Sequence, residues 1–329
     1  MRIFAFEYVT AGGARECAAP ASLIAEGAMM LRALAGDLSR VTGVKVVVAR
    51  DPAIALGDLA GDVRTVDPAN LWAGWGELIA SCDAVWPIAP ETGGILEEVT
   101  ALAGRCGRPV LNSRRDALAV ARSKHATAAC LARAGVTVAA TAPAGRPPPA
   151  SDHGWVAKPD DGAGTLDTRF LSDRTALTRW ETKHPRANFV VQEFVTGPAL
   201  SLSTLMQDGA CWLLSCNLQH VGCHGGAFAY RGSTVAGAEA RRPALEPLAA
   251  RVAAALPGLW GHVGIDVVDG PAGPVVIEIN PRLTTSYVGL AESIGINPAA
   301  LVLALREQPL GALIRPLAAK PLDVFVPGA

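Results

Sequence analysis

The sequence predicts a mixed α/β and α+β protein, with an N-terminal parallel sheet flanked by helices and a remainder in which further strands alternate with helices. Three observations support this. Strand-like and helix-like stretches alternate up to residue 113 at the spacing of βαβ units. A proline-rich stretch between Ala142 and Ala150 then interrupts the pattern, and β-rich runs resume at Trp155. With 329 residues, half of them apolar, the chain can form two or three packed units with a substantial core.

The first strand is read over Arg2 to Tyr8. Ala21 to Leu38 places Leu23, Ile24, Gly27, Met30, Leu31 and Leu34 at helical spacing. Val44 to Ala49 is a short β-branched strand, a helical stretch follows, and Ala84-Val85-Trp86-Pro87-Ile88 is another strand. Glu97 to Ala103 reads as helix, and Pro109 to Asn112 closes the unit. Ligands of such a sheet bind beyond the carboxyl ends of its strands, which turns Glu7 and Glu91 toward a ligand. One helix is expected from about Asp116 to Arg133, N-capped by Asp116 and stopped by Gly135. Pro143 and Pro147-Pro148-Pro149 make Ala142 to Ala150 a stiff loop. Beyond it, Trp155 to Lys158, Phe189 to Val195, Cys211 to Leu218, Gly264 to Val268 and Val275 to Ile279 read as strands, with helices near Arg251 and Ala299.

Composition removes several function classes. No stretch approaches the roughly 18 consecutive apolar residues of a membrane-spanning helix. The run Met1 to Glu7 is too short, and too soon broken by an acid, to be a secretory signal, so a cytoplasmic location away from membranes is expected. With 29 basic and 30 acidic residues and no long run of either sign, the chain lacks the basic stripe of a nucleic-acid binder. Seven dispersed cysteines fit reduced thiols better than a disulfide framework.

The strongest chemical signal is Val275-Val276-Ile277-Glu278-Ile279-Asn280-Pro281-Arg282. Alternation along a strand points Glu278, Asn280 and Arg282 the same way. A carboxylate and an amide oxygen suit a hard cation such as Mg²⁺, and the arginine adds a fork for phosphate or carboxylate. Asp266, in Gly264-Ile265-Asp266-Val267-Val268, supplies a second carboxylate from a neighbouring strand.

On these residues the chain resembles the ATP-grasp superfamily, and the resemblance implies a fold, a cofactor set and a chemistry. The implied fold has an N-terminal Rossmann-like domain over residues 1–113, a small lid subdomain over 114–190 and a C-terminal antiparallel-sheet domain over 191–329. Lys124, in Ser123-Lys124-His125-Ala126-Thr127, and Lys158, just before the Asp161-Gly162-Ala163-Gly164 loop, match the two lysines that hold the ATP phosphates. Gly162 and Gly164 would let backbone N–H groups approach those phosphates. Gln192-Glu193-Phe194-Val195 matches the hinge that runs past adenine. Asp266, Glu278 and Asn280 match the set that binds Mg²⁺, with Mn²⁺ as a substitute, and Arg282 with Lys158 the catalytic cations. One departure is Pro198-Ala199-Leu200-Ser201 where many members carry a ribose-binding acid, leaving Ser201 or Ser203 as replacements.

The motifs Phe6-Glu7-Tyr8-Val9, Ala25-Glu26-Gly27-Ala28-Met29-Met30, Ile88-Ala89-Pro90-Glu91 and Leu111-Asn112-Ser113 narrow the resemblance. They look like the tyramine–glutamate ligase group of methanofuran biosynthesis, whose bacterial relatives serve the methylofuran branch of one-carbon metabolism. The match covers most of residues 1 to 298. It implies small-molecule carboxylate and amine substrates, the glutamate γ-carboxylate joined to tyramine or tyrosine through an acyl phosphate, and in many members a homodimer. His220, Arg231 and Arg282, with Glu7 and Glu91, are the substrate-binding candidates.

Three other readings compete with this one. Cys216, His220, Cys223 and His224 fall within nine residues and could bind zinc, but paired Cys-x-x-Cys knuckles are absent. An ATP-binding sensor without ligase activity fits the missing ribose acid, although the intact metal set argues against it. A nicotinamide-dependent oxidoreductase fits the N-terminal unit, but Ala11-Gly12-Gly13 does not satisfy the Gly-x-Gly-x-x-Gly turn.

Overall fold

The computed structural model describes residues 1–17, 19–162, 164–184 and 188–327. Its first unit contains β1 (Arg2–Glu7), α1 (Ala14–Cys17), α2 (Ala21–Ser39), β2 (Lys45–Arg50), β3 (Asp62–Thr65), α3 (Leu71–Ala80), β4 (Ala84–Ile88) and α4 (Ile95–Arg105). The four strands pair in parallel in the order β3-β2-β1-β4. Period-two alternation sorts β1 between two cores. Ile3 and Ala5 pack with α2, whereas Phe4 and Phe6 pack with Trp75 of α3 and Val99 of α4. β3 was not expected from sequence because all four of its residues are exposed and carry no apolar pattern.

The middle of the chain holds α5 (Arg115–Arg122), α6 (Lys124–Arg133), β5 (Thr141–Pro143), β6 (Trp155–Pro159), β7 (Arg169–Leu171), α7 (Arg174–Lys183) and β8 (Phe189–Glu193). The single helix expected here is two. Ser123 sits between them in extended conformation, and its hydroxyl caps α6 by accepting from the Ala126 N–H at 3.0 Å. Asp116 is not a cap; it lies in the first turn of α5, which Arg114 precedes. The expected proline loop also gives up Ala142 and Pro143 to β5, an edge strand where proline removes no ladder bond.

The remainder forms β9 (Ala199–Gln207), β10 (Ala210–His224), β11 (Ala227–Val235), α8 (Arg242–Ala255), β12 (Gly261–Gly270), β13 (Gly273–Asn280), α9 (Leu290–Ile294), α10 (Pro298–Ala304) and β14 (Leu322–Phe325). Together with β5 to β8 these strands make an antiparallel sheet in the order β13-β12-β9-β10-β11-β7-β6-β8-β5, with β14 paired on β11. One face of its β9–β13 half packs Leu200, Leu202, Leu213, Ile265, Val276 and Ile279 on Leu245, Leu248 and Val252 of α8. The other face is polar where it carries Ser201, Asn217, Gln219, Asp266 and Glu278, beside the turn around Thr285–Tyr287, and apolar at Leu205, Trp212 and Leu214. A separate small core of Trp155, Ala157, Leu171, Leu177, Trp180 and Val191 holds the segment around β6 to β8. Among the described residues, no helix is long and apolar enough to cross a membrane.

Candidate active site

Strand register builds the centre of the site. Asp266 on β12 lies opposite Glu278 on β13 and opposite Ser201 on β9. The β12–β13 pairing slips by one residue beside Asp266 and Glu278. That bulge turns Glu278 and Asn280 to the polar face while Val276 and Ile279 stay in the core. Asn280 Nδ2 donates to Asp266 Oδ2 at 3.0 Å, and Gln219 Nε2 donates to Asp266 Oδ1 at 2.9 Å. Burial, and then the Glu278 charge, push the Asp266 carboxyl up to about 7.

Two lysines reach the same point from other elements. Lys124, in the first turn of α6, brings its Nζ to 3.5 Å from Glu278 Oε2, and Lys158 at the end of β6 brings its own to 3.8 Å. Both are nearly sealed, with side chains 7% and 8% exposed. Burial lowers Lys158 to about 8, with Lys124 adding to the effect and Glu278 opposing it. Burial likewise opposes the Glu278 carboxylate, but the two lysines outweigh it and hold that group below the usual carboxylate range. The donor set of Asp266, Glu278 and Asn280 is oxygen only and includes a buried pair of facing carboxylates. Such a set fits a hard divalent cation, whose charge would relieve the repulsion that raises Asp266.

Arg282 follows two residues after Asn280 and crosses to the N-terminal unit. Its Nε donates to both carboxylate oxygens of Glu91, at 3.0 and 3.2 Å, across 191 residues of sequence. The loop after Lys158 closes over this centre. Lys124 Nζ donates to the Gly162 carbonyl, the Lys124 N–H to Asp160 O at 3.0 Å, and the Gly93 N–H to Asp161 Oδ2 at 3.2 Å. Gly164 takes a left-handed φ of 66°, and Ala163 lies outside the described residues. A cavity of about 10 Å³ is left between Glu91, Lys124, Gly162, Glu278 and Asn280, close to the minimum for one water. With the loop in this position, that space is too small for a nucleotide.

The segment expected to run past adenine continues from the end of β8. Gln192 is buried and donates to the Thr141 hydroxyl at 2.9 Å. Glu193 exchanges bonds with Ala140, backbone N–H to carbonyl and carboxylate to N–H, both at 2.9 Å. The Phe194 N–H donates to Gly154 O at 3.0 Å, and its ring lies 4.7 Å from that of Phe170. Among the described residues, nothing accepts from the Val195 N–H, so it is available to a ligand. Ser201 and Ser203 turn elsewhere, into a buried network with Asn217 and Ser286.

Other sequence candidates take different places. Glu7 does not face an open ligand space. Its carboxylate is buried and accepts from the Val9 and Thr10 N–H groups at 3.0 and 2.8 Å, shaping the turn after β1. His220 turns away from Asp266; its Nε2 lies 3.0 Å from the Thr234 hydroxyl and its ring stacks on Phe325. Arg231 is exposed and lies 3.5 Å from His224. Alternation from Asn217 puts Gln219 inward and His220 outward on β10, and a register slip between Gln219 and Val221 gives Tyr230 rather than Arg231 the inward position on β11. The zinc alternative fails on geometry, since Cys216 is fully buried while Cys223 and His224 are exposed. Among the described residues no three His, Cys, Asp or Glu side chains gather to hold a metal. Sequence reasoning also missed Glu26 and Thr285, which meet across the interface between α2 and the turn after β13.

Residues 121–286 match the family model of the ATP-grasp domain, and residues 44–118 match that of the pre-ATP-grasp 3 domain. The chain belongs to the ATP-grasp family. Among curated proteins, this ATP-grasp chain is 26% identical over 292 residues to the tyramine–L-glutamate ligase of Methanocaldococcus fervens, covering 88% of this chain and 89% of the relative. It is 32% identical over 120 residues, 36% of each chain, to the ligase of the same name from Methanocaldococcus jannaschii. Among solved structures, an Archaeoglobus fulgidus protein assigned to the ATP-grasp superfamily aligns with a TM-score of 0.69 and 26% identity, over 92% of this chain and 88% of that one. The L-amino acid ligase of Bacillus licheniformis aligns at 0.68 over 98% and 75% of the two chains; at 20% identity, that likeness is one of fold.

Proposed function

We propose that this ATP-grasp protein is an ATP-dependent ligase that joins a carboxylate to an amine through an acyl phosphate. The finer reading is that the glutamate γ-carboxylate is joined to tyramine or tyrosine in methylofuran-type cofactor biosynthesis. It works through three units, residues 1–113, 114–190 and 191–329. The observation that carries the reading is convergence: Asp266, Glu278 and Asn280 meet Lys124, Lys158 and Arg282 at one point, beneath a loop able to close over phosphates.

In this reading a donor carboxylate oxygen attacks the γ-phosphorus of ATP and ADP departs, leaving an acyl phosphate. The amine nitrogen then attacks the acyl carbon and phosphate leaves. Lys124 and Lys158 offset the charge of the transferring phosphoryl oxygens, and Lys158, lowered to about 8, is held protonated by that added negative charge. Mg²⁺ held by Asp266, Glu278 and Asn280 would supply the remaining positive charge. Arg282, fixed on Glu91, presents its remaining guanidinium donors where the acyl phosphate forms. The loop from Pro159 to Thr165 keeps water from that intermediate.

The test is incubation with Mg-ATP, glutamate and a panel of amines, tyramine and tyrosine side by side. ADP release and the mass of a γ-glutamyl amide are expected. Glu278→Gln should lower turnover by roughly a hundredfold or more, the scale of losing one major charge contact to the transition state. Near-normal ADP release by that variant would remove the metal assignment. Nucleotide binding with no product from any amine would favour the sensor reading, for which the absent ribose acid speaks.

A further inference from the structure

Five carboxylates surround Arg282: Glu7, Glu26, Glu91, Asp266 and Glu278. Four have defined partners. Glu7 accepts two backbone N–H groups, Glu91 grips Arg282, Asp266 accepts from Asn280 and Gln219, and Glu278 faces two lysines. Glu26 differs. Among the described residues it has no ion-pair partner, and its one hydrogen bond is from the Thr285 hydroxyl at 3.4 Å.

Its position follows from the next residue. A Cβ at position 27 would stand 2.4 Å from Glu7 Oε2, so only glycine lets α2 seat against the Glu7 turn and present Glu26 to the sheet. Facing Glu26 is Tyr230 on β11, whose phenol is pushed up to about 12 by burial and stays protonated. Ser233 and Thr285 stand beside its phenol, while Ser233, Ser286 and Ser201 behind them satisfy one another. Glu26, Tyr230 and Gln219 keep partial exposure, and Gln219 joins this group to the Asp266 centre. A half-buried carboxylate with no ion-pair partner among the described residues, framed by neutral hydroxyls, is the complement of a primary ammonium.

We infer that Glu26, framed by Thr285 and Tyr230, seats the amine nucleophile and accepts one of its protons. The inference rests on the ligase reading and deepens it. The ammonium R–NH₃⁺ gives a proton to the Glu26 carboxylate, leaving R–NH₂ with a free electron pair. That pair attacks the acyl carbon, the carbon–oxygen bond to phosphate breaks, and the phosphate leaves with its electrons and takes up the surplus N–H proton. Amide, hydrogen phosphate and a protonated Glu26 result, and the carboxyl then returns its proton to water.

Two acceptors separate this role from the rest of the reaction. Hydroxylamine is uncharged at neutral pH and traps the acyl phosphate as a hydroxamate without an ammonium seat. Glu26→Gln should keep glutamate-dependent hydroxamate formation and the KM for glutamate near wild type. It should lower kcat/KM for the protonated amine by about a hundredfold, the scale of a lost general base. Glu26→Asp should recover part of that loss, and Thr285→Val should raise the KM for the amine several-fold. Unchanged amide synthesis by Glu26→Gln would overturn the inference. So would equal loss of both reactions in a variant that still binds ADP, and so would a raised KM for glutamate, which would assign Glu26 to the donor's own ammonium. A wild-type enzyme that yields no hydroxamate sinks the ligase reading itself, a result distinct from all of these.

Discussion

His262 is sealed between β12 and the turn that carries Arg282, 3% exposed, with its ring against Tyr287 at 5.2 Å and Nδ1 3.5 Å from the Arg282 carbonyl. Burial lowers its pKa to about 4. The unfolded chain therefore takes up this proton first. The stability that His262 contributes as a neutral side chain is whole above about pH 6.5 and is lost as pH falls toward 4. A gap of that size corresponds to about 3 kcal/mol at its limit. His262→Phe keeps the packing and removes the titration. Urea unfolding at pH 7 and pH 4.5 should show wild type losing about 2 to 3 kcal/mol more than the variant over that interval. Parallel losses in the two proteins would show that His262 is not held neutral. The residue scale also sets how much of the site could be read from sequence. Glu278 and Asn280 were readable because strand alternation points them the same way, with Asp266 brought opposite by strand register and Arg282 following just past the strand end. Tyr230 was not, because the slip between Gln219 and Val221 gives it the place of Arg231, and no local sequence pattern announces that slip, whereas Gln219 follows Asn217 by alternation once the inner face of β10 is known. Glu26 was visible only as part of a motif, since its meeting with Thr285 spans 259 residues.

At the scale of elements, the break between α5 and α6 matters most to the site. A continuous helix through Ser123 would satisfy the N–H groups that now bind the lid loop, and Lys124 would lose its place at a helix start. Instead the Lys124 and His125 N–H groups donate to Asp160, its carbonyl at 3.0 Å and its carboxylate at 2.9 Å. The helical periodicity of Asp116 to Arg133 hid this, because both helices are helix-like in composition and the break rests on one serine cap. Ser123→Ala removes that cap and should cost about 1 kcal/mol. Because the same turn carries Lys124, the KM for ATP should rise several-fold beyond any loss of folded protein. Equilibrium unfolding and initial rates at varied ATP check the two effects separately; a stability loss with unchanged KM would make the cap purely structural. Gly197 lies at another element boundary, between β8 and β9. Its φ of 148°, and a Cβ that would stand 2.2 Å from the Asp269 carbonyl, tie the end of the hinge to the β12–β13 hairpin.

At the scale of the whole molecule, the N-terminal and C-terminal units share a core, while the part of the lid around β6 to β8 does not. Ile3, Leu31 and Leu34 of the first unit belong to one buried cluster with Leu205, Trp212, Leu301 and Val302 of the last. Arg282–Glu91, Asn297 to the Asp37 carbonyl at 2.8 Å and Thr285–Glu26 add polar ties across the same interface. The lid segment keeps its own smaller core around Trp155, Leu171, Leu177 and Trp180, and meets the site through Lys124–Gly162 and Gly93–Asp161. A unit with little shared apolar surface opens at lower free energy than the global transition. Native-state hydrogen exchange should therefore find amides of β6 and α7 exchanging through a low-energy opening, while β1, β4, β9 and β12 exchange only with global unfolding. Mg-ADP should protect the lid amides selectively, because a bound nucleotide gives the loop phosphates to close upon. Independent early exchange of the N-terminal sheet would contradict the shared core, and lid amides insensitive to Mg-ADP would separate the loop from nucleotide binding.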